Sequence, residues 1–254
     1  MCIINFKIKE DPNYKLVIAA NRDESYNRPA SPAKFHGDIL YGTDEVRLGT
    51  WLGITKSGRI AMITNVRNLE EMTKNNLLSR GDIVLDFLKS DTDAEAFLTH
   101  LKTESHKYGG FNVLLGNIDT LFYMNNHENQ IEKVSEHIHG LSNAKLNTPW
   151  AKVQLGKNKL EGLTGDIEKD KHMLLGLLNS TDKTPEHNQN TGVEKELEYQ
   201  LSSQFIELQD MEYGTRCSTV ILVTHDDEVH FVERTFDRGQ FDFDTEYTFK
   251  INTD

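Results

Sequence analysis

Cysteine is scarce in this chain: Cys2 and Cys217 are the only two in 254 residues. That is too few for a disulfide framework or a four-cysteine zinc site. No apolar run approaches the roughly 18–20 residues of a membrane helix, so no integral membrane segment is expected. The opening Met1-Cys2-Ile3-Ile4-Asn5-Phe6-Lys7 lacks the basic stretch and longer apolar run of a secretory signal. These absences together point to a reduced, cytoplasmic setting. Basic charge is also in deficit: 28 Lys and Arg against 40 Asp and Glu give a net charge of −12. Such a balance disfavours phosphate backbones and anionic lipid, so no nucleic-acid partner is expected. The chain has no Gly-x-x-x-x-Gly-Lys, Gly-x-Gly-x-x-Gly or His-Glu-x-x-His motif and no haem-attachment Cys-x-x-Cys-His. No metal site is expected.

The composition itself is ordinary for a soluble globular protein, with 37% hydrophobic and 27% charged residues. At this length about 70–75% of the unfolded surface can be buried, so a core needs no covalent staples. No repeat and no convincing linker divides the chain, and a single domain over 1–254 is expected.

Strand patterns fill the first quarter. Residues 2–8 alternate, with Cys2, Ile4, Phe6 and Ile8 on one face. After a turn at Asp11-Pro12-Asn13, the continuous apolar run Leu16–Ala20 predicts a strand buried on both faces, ending in the polar cluster Asn21-Arg22-Asp23-Glu24. A loop is expected next, then strands around Gly49–Ile54 and Arg59–Thr64. Helices are predicted over 77–88 and from a capping box at Thr92-Asp93-Ala94-Glu95 through Leu101. Strands return at 111–115, 120–124 and 131–134, helices at 150–163, 167–178 and 194–205. Residues 180–191 read as a polar, mobile loop. A hairpin of 219–223 and 229–232 around Asp226-Asp227, then a strand near 247–251, close the chain. Separate blocks of strands and helices indicate an α+β class, and a four-layer αββα sandwich fits the order.

Three features could carry chemistry. With Met1 removed, Cys2 has a thiol and a free α-amine on one residue; the amine titrates near 7.7–8.0 and can act as base at neutral pH. Nucleophile and base on one residue is the N-terminal-nucleophile arrangement. Asn21-Arg22-Asp23-Glu24 is either a solvated loop or a cluster that places charge at a cleft, where Asp23 would hold the amine and Arg22 would favour the thiolate. Thr64-Asn65 and Ser142-Asn143 are either plain turns or donors to an oxyanion. His137 and His139 read as surface residues, and Asp226-Asp227-Glu228 as a solvated hairpin tip.

Seven segments match one known family in order. They are Met1-Cys2-Ile3-Ile4, Ala20-Asn21-Arg22-Asp23-Glu24, Gly49-Thr50-Trp51-Leu52-Gly53-Ile54, Gly110-Phe111-Asn112, Gly140-Leu141-Ser142-Asn143-Ala144, Thr148-Pro149-Trp150 and Tyr213-Gly214-Thr215-Arg216. The sequence thus resembles the NRDE family, that of transport and Golgi organisation protein 2, from Cys2 to about Arg234. The resemblance implies a branch of the N-terminal-nucleophile hydrolase superfamily and its αββα sandwich. By likeness to the superfamily's cysteine branch, the bile salt hydrolases and penicillin V acylases, Cys2 would be nucleophile and base. Asp23 would anchor the amine, Asn65 and Asn143 would form the oxyanion hole, and Arg216 would be the late arginine. That branch has an arginine three residues before the aspartate, where this chain has Ala20. Arg22 neighbours Asp23, so it should point to the opposite face. The family also implies an alternative of another class: a non-catalytic carrier of haem or acyl-CoA. His36, His106, His137 and His139 are its candidate haem ligands. Hydrolysis itself implies no cofactor.

Overall fold

The computed structural model describes residues 2–66, 77–184 and 189–252. The chain divides into two compact units, one made of Met1–Asn27 with Glu136–Lys250, the other of Arg28–Ser135 with the C-terminal residues from Ile251. It begins in the first unit with strands β1 (Ile3–Ile8) and β2 (Tyr14–Ser25). β2 continues straight through Asn21-Arg22-Asp23-Glu24, so of the two readings of the polar cluster the solvated loop is excluded. Asn21, Arg22 and Asp23 are buried there; β12 pairs with all three, and β1 pairs with Asn21 on the other side.

The second unit then forms a meander in chain order: β3 (Ala30–His36), β4 (Ile39–Asp44), β5 (Leu52–Thr55), β6 (Arg59–Asn65), β7 (Phe111–Asn117), β8 (Thr120–Asn125) and β9 (Gln130–Lys133). The loop expected after residue 25 is therefore largely a hairpin of β3 and β4. Its turn has Gly37 at φ 64, and the alternating exposed residues of β3 hid the strand. Helices α1 (Arg80–Lys89) and α2 (Ala94–Glu104) interrupt the meander between β6 and β7. Asp93, rather than Thr92, caps α2 by accepting from Glu95 N and Ala96 N. Ile83, Val84, Phe87 and Leu98 pack on Ile63, Phe111, Val113 and Met124, so one face of this sheet carries the helices.

Back in the first unit come β10 (Ile138–Leu141), α3 (Ala151–Leu160), α4 (Ile167–Leu178), α5 (Lys195–Gln200), β11 (Glu207–Leu208), β12 (Tyr213–Thr224), β13 (Glu228–Asp237) and β14 (Gln240–Lys250). The expected mobile loop has no helix or strand at 181–184, and its residues 185–188 lie outside the described residues. The sheet runs β10-β1-β2-β12-β13-β14, antiparallel throughout, with β11 beside β12. Chain ends some 200 residues apart thus meet: Ile18 pairs with Ile221 and Asn21 with Ser218. Val17, Ala19, Val220 and Leu222 point to one side, where Leu160, Leu174, Leu175 and Leu178 of α3 and α4 cover them. α3 lies so close to β1 that a Cβ on Gly156 would run into the Asn5 amide, which is why that helical position has no side chain.

The fold is α+β: two seven-stranded antiparallel sheets, each with helices packed on a face. No described helix is long and apolar enough to cross a membrane.

Candidate active site

Cys2 precedes β1 and is 7% exposed. Its neighbour Ile3 faces the helices, packed with Trp150 and Val153, so alternation turns the Cys2 side chain to the other face with Ile4. The register pairs Ile3 with Asn21; one step further sets Arg22 opposite Cys2. On the far side of Arg22, β12 presents Cys217 as its partner. Cys2, Arg22 and Cys217 therefore form a row across three strands. Arg22 does point away from Asp23, and that direction is the face of the thiol.

Burial is the main influence on this thiol and pushes its pKa up. The N-terminal ammonium pulls it down, the Asp23 charge pushes it up, and a hydrogen bond from the Asp23 main chain and the Arg22 charge pull it down. Burial therefore outweighs the Arg22 charge that favours the thiolate. Burial, reinforced by Glu233, pushes Cys217 well above its ordinary value.

Asp23 lies on the helix-facing side. The Thr215 hydroxyl donates to its Oδ1 at 2.8 Å, and Tyr213 Oη donates to its carbonyl at 3.1 Å. Burial raises the Asp23 pKa, opposed first by the N-terminal ammonium, then by Lys152, the Thr215 hydrogen bond and Arg22. Lys152 is the residue missed in the sequence. It is 2% exposed, and its Nζ donates to the Leu201 carbonyl at 3.0 Å. Burial pulls its pKa down to about 8, against the upward pull of Asp23, Cys2 and Glu198. A signal was present: Lys152, Gly156 and Leu160 fall four residues apart on the buried stripe of α3.

Ser142 and Asn143 follow β10 and are buried. Ser142 Oγ donates to the Cys2 carbonyl at 2.9 Å and stands 3.2 Å from Asn143 Oδ1, tying the asparagine to the start of the chain. Asn21 has a different task. Its Nδ2 donates to the Leu178 and Gln204 carbonyls at 2.8 and 3.0 Å, and Ser218 Oγ donates to its Oδ1 at 2.6 Å. Its amide nitrogen thus binds the helix side to β2, while its oxygen binds the neighbouring strand β12. Arg216 sits at a bulge in β12, with Nη1 donating to the Ser25 and Tyr26 carbonyls at 2.9 and 3.1 Å. Asn65 ends β6 in the second unit and is exposed.

Six of the seven expected site residues therefore share the first unit. His139, expected at the surface, is instead 5% exposed, stacked on Phe6 and bonded to Asn147 at 2.9 Å, because β10 pairs it with that phenylalanine. His137 is exposed beside Glu10. Asp227, expected as part of a solvated tip, is half-buried with Lys15 at 2.5 Å.

Fold and site together define an α+β protein with two antiparallel sheets, a buried cysteine just before its first strand, a buried carboxylate in its second and a buried lysine in its third helix. The chain belongs to the Transport and Golgi organisation 2 family, whose model matches residues 1–238. It is 35% identical to the Transport and Golgi organization protein 2 homolog of Bos taurus, over 92% of this chain and 93% of that protein. It is 28% identical to Transport and Golgi organization protein 2 of Drosophila melanogaster, over 92% of each. Among solved structures it is similar to a Caenorhabditis elegans N-acylethanolamine-hydrolyzing acid amidase ortholog (TM-score 0.49, 9% identity, 87% of this chain and 92% of that one). It is also similar to a mutant conjugated bile acid hydrolase from Clostridium perfringens (TM-score 0.45, 12% identity, 99% and 97%).

Proposed function

We propose that this protein is an N-terminal-nucleophile cysteine hydrolase of amide or thioester bonds, with Cys2 as nucleophile once Met1 is removed. The observation that carries this is the meeting of Asp23 and Ser142 at Cys2: the Asp23 main chain hydrogen-bonds to its thiol, and Ser142, which stands against Asn143, donates to its carbonyl. In the proposed reaction the α-amine takes the thiol proton as sulfur attacks the carbonyl carbon. The raised thiol pKa makes that base necessary, since little thiolate stands ready at pH 7. The Asn143 amide stabilises the oxyanion. The amine then passes its proton to the leaving nitrogen as the C–N bond breaks, and water cleaves the thioester to restore the thiol. Asp23 holds the amine, Arg22 supports charge on sulfur, and Arg216 fixes the end of β2. A part for Asn65 in the oxyanion hole rests on the family resemblance alone. So does haem or acyl-CoA as cargo, since His36 stacks on Tyr41 and His139 on Phe6.

Intact mass of untagged protein from cells should show loss of Met1, which lies outside the described residues. Incubation with a panel of small amides and thioesters should add an acyl mass to Cys2 and none to Cys217. Cys2→Ala should abolish it. Asn143→Ala should slow it by about 10²–10³, near 3–4 kcal/mol. Retained Met1, or no acyl-enzyme with any member of the panel, would sink the proposal.

A further inference from the structure

The first unit buries a cation that the proposed reaction does not use. Lys152 enters the helix layer as the second residue of α3, and its main chain is tied to the strand that bears Asp23. Gln204 Nε2 donates to the Lys152 carbonyl at 2.7 Å, and the Gln204 carbonyl in turn accepts from Asn21, two residues before Asp23. The side chain reaches Leu201 O, at the C-cap of α5. A neutral carbonyl satisfies one of three N–H groups but does not balance a buried charge. The ionisable groups that act on Lys152 are Asp23 of β2, Cys2 beside β1 and Glu198 of α5, with Asp23 foremost. In the other direction, the groups acting on Asp23 include, besides the ammonium of Met1 that processing would remove, Lys152, the Thr215 hydroxyl and Arg22. Burial alone would leave this carboxyl protonated, and a protonated Asp23 cannot anchor an ammonium.

We propose that Lys152 is a positioning residue for the Cys2 nucleophile: its ammonium, on the helix side of the sheet, keeps Asp23 anionic, and the anion in turn holds the terminal amine. This rests on Cys2 being the nucleophile. Capping α5 would be the alternative task for the same side chain, and it predicts a loss of stability with no change in the ionisation of Asp23.

Two measurements on the untagged, Met1-free protein decide the matter. Carbon-13 labelling of aspartate follows the Asp23 carboxyl against pH, assigned by its loss in Asp23→Asn. Lys152→Met should move its midpoint up by about one unit or more, and Lys152→Arg should bring it back. The converse reading covers the case in which the methionine variant does not fold: the Lys152 Cε midpoint, about 8 in the wild type, should fall in Asp23→Asn. Acylation of Cys2 by p-nitrophenyl acetate, followed by mass, gives the link to the nucleophile. At pH 7 Lys152→Met should be slower by about tenfold, the double variant no slower than Asp23→Asn. As pH rises, Lys152→Met should recover, because Asp23 then ionises without its cation, whereas Asp23→Asn should not. Unmoved midpoints overturn the proposal. So does a moved Asp23 midpoint with wild-type acylation, which would make the pair purely structural. A wild-type Cys2 that is never acylated overturns the nucleophile itself, and the midpoints then still report the coupling of Lys152 to Asp23 separately.

Discussion

The two sheets have the same number of strands and differ in what they bury between strands and helices. Among the described residues of the first unit, Lys7, Asp11, Arg22, Asp23, Lys152, Asp170, Glu198 and Glu233 are all buried. Among the described residues of the second unit the buried polar side chains are uncharged: Thr50, Thr55, Thr64, Ser105, Asn112 and Asn125. The second unit solves its polar problem with neutral partners. Asn112 Oδ1 accepts from Tyr123 Oη at 2.8 Å and Asn125 Nδ2 at 2.7 Å, and its own Nδ2 donates to Thr64 at 3.1 Å. The first unit also has a buried charge fully matched by donors. Asp170 accepts from Tyr14 Oη, from Thr164 through both its N–H and its hydroxyl, and from the Gly165 N–H. Near Cys2, by contrast, Arg22, Asp23 and Lys152 are buried in one unit, with Arg22 beside Glu24, Asp23 on the Thr215 hydroxyl and Lys152 on the Leu201 carbonyl. A neutral network is indifferent to pH, whereas buried ionisable groups make stability depend on it. The difference is one of pH response, and it sets the first unit apart.

The largest expected effect tests the neutral unit's core. Phe111→Ala removes a fully buried ring that meets Tyr108 edge-on, and urea unfolding should show a loss of about 3–5 kcal/mol, equal at pH 7 and pH 9. A pH-dependent loss would break the contrast. Next comes Lys152. Its folded pKa of about 8 lies below the ordinary 10.5, so between those values the unfolded chain binds more protons and stability must rise with pH. The rise should be on the order of 2–3 kcal/mol and should vanish in Lys152→Met; a flat wild-type curve from pH 8 to pH 10 would contradict it. The smallest effect sharpens the neutral side. Asn112→Ala leaves the Tyr123, Asn125 and Thr64 groups without their shared partner and should cost about 2 kcal/mol at every pH in the range.

Much of this was legible in the sequence where one signal dominates. Helix α4 matched its expected limits because Asp166 caps it and its apolar residues keep helical spacing. Strands β1, β6, β7 and β8 matched their apolar runs. The failures share a cause: polar residues in strands. Asn21, Arg22 and Asp23 were left between a solvated loop and a cluster at a cleft because local pattern cannot show that β12, nearly 200 residues later, will pair with them. The β3–β4 hairpin was lost because one face of β3 is exposed. For the candidate site, Cys2, Asp23 and Asn143 were named from motif order, and the hydroxyl of Ser142 reaches both the Cys2 carbonyl and Asn143. Lys152 was missed although it follows a matching motif, since a lysine on a short helix is ordinarily solvated and only its place on the inward stripe of α3 says otherwise.

Strand order also sets a timetable. β1 acquires β2 as a neighbour early in synthesis, but its other edge stays open until β10 at 138–141 has been made, and the sheet is not whole until β12 follows. At translation speeds of 5–20 residues per second, that edge is open on the ribosome for on the order of ten seconds. Afterwards Cys2 is enclosed, with its carbonyl held by Ser142. Any reagent or enzyme that must reach the Cys2 side chain from solvent therefore meets it most openly on the nascent chain, before the later strands enclose it.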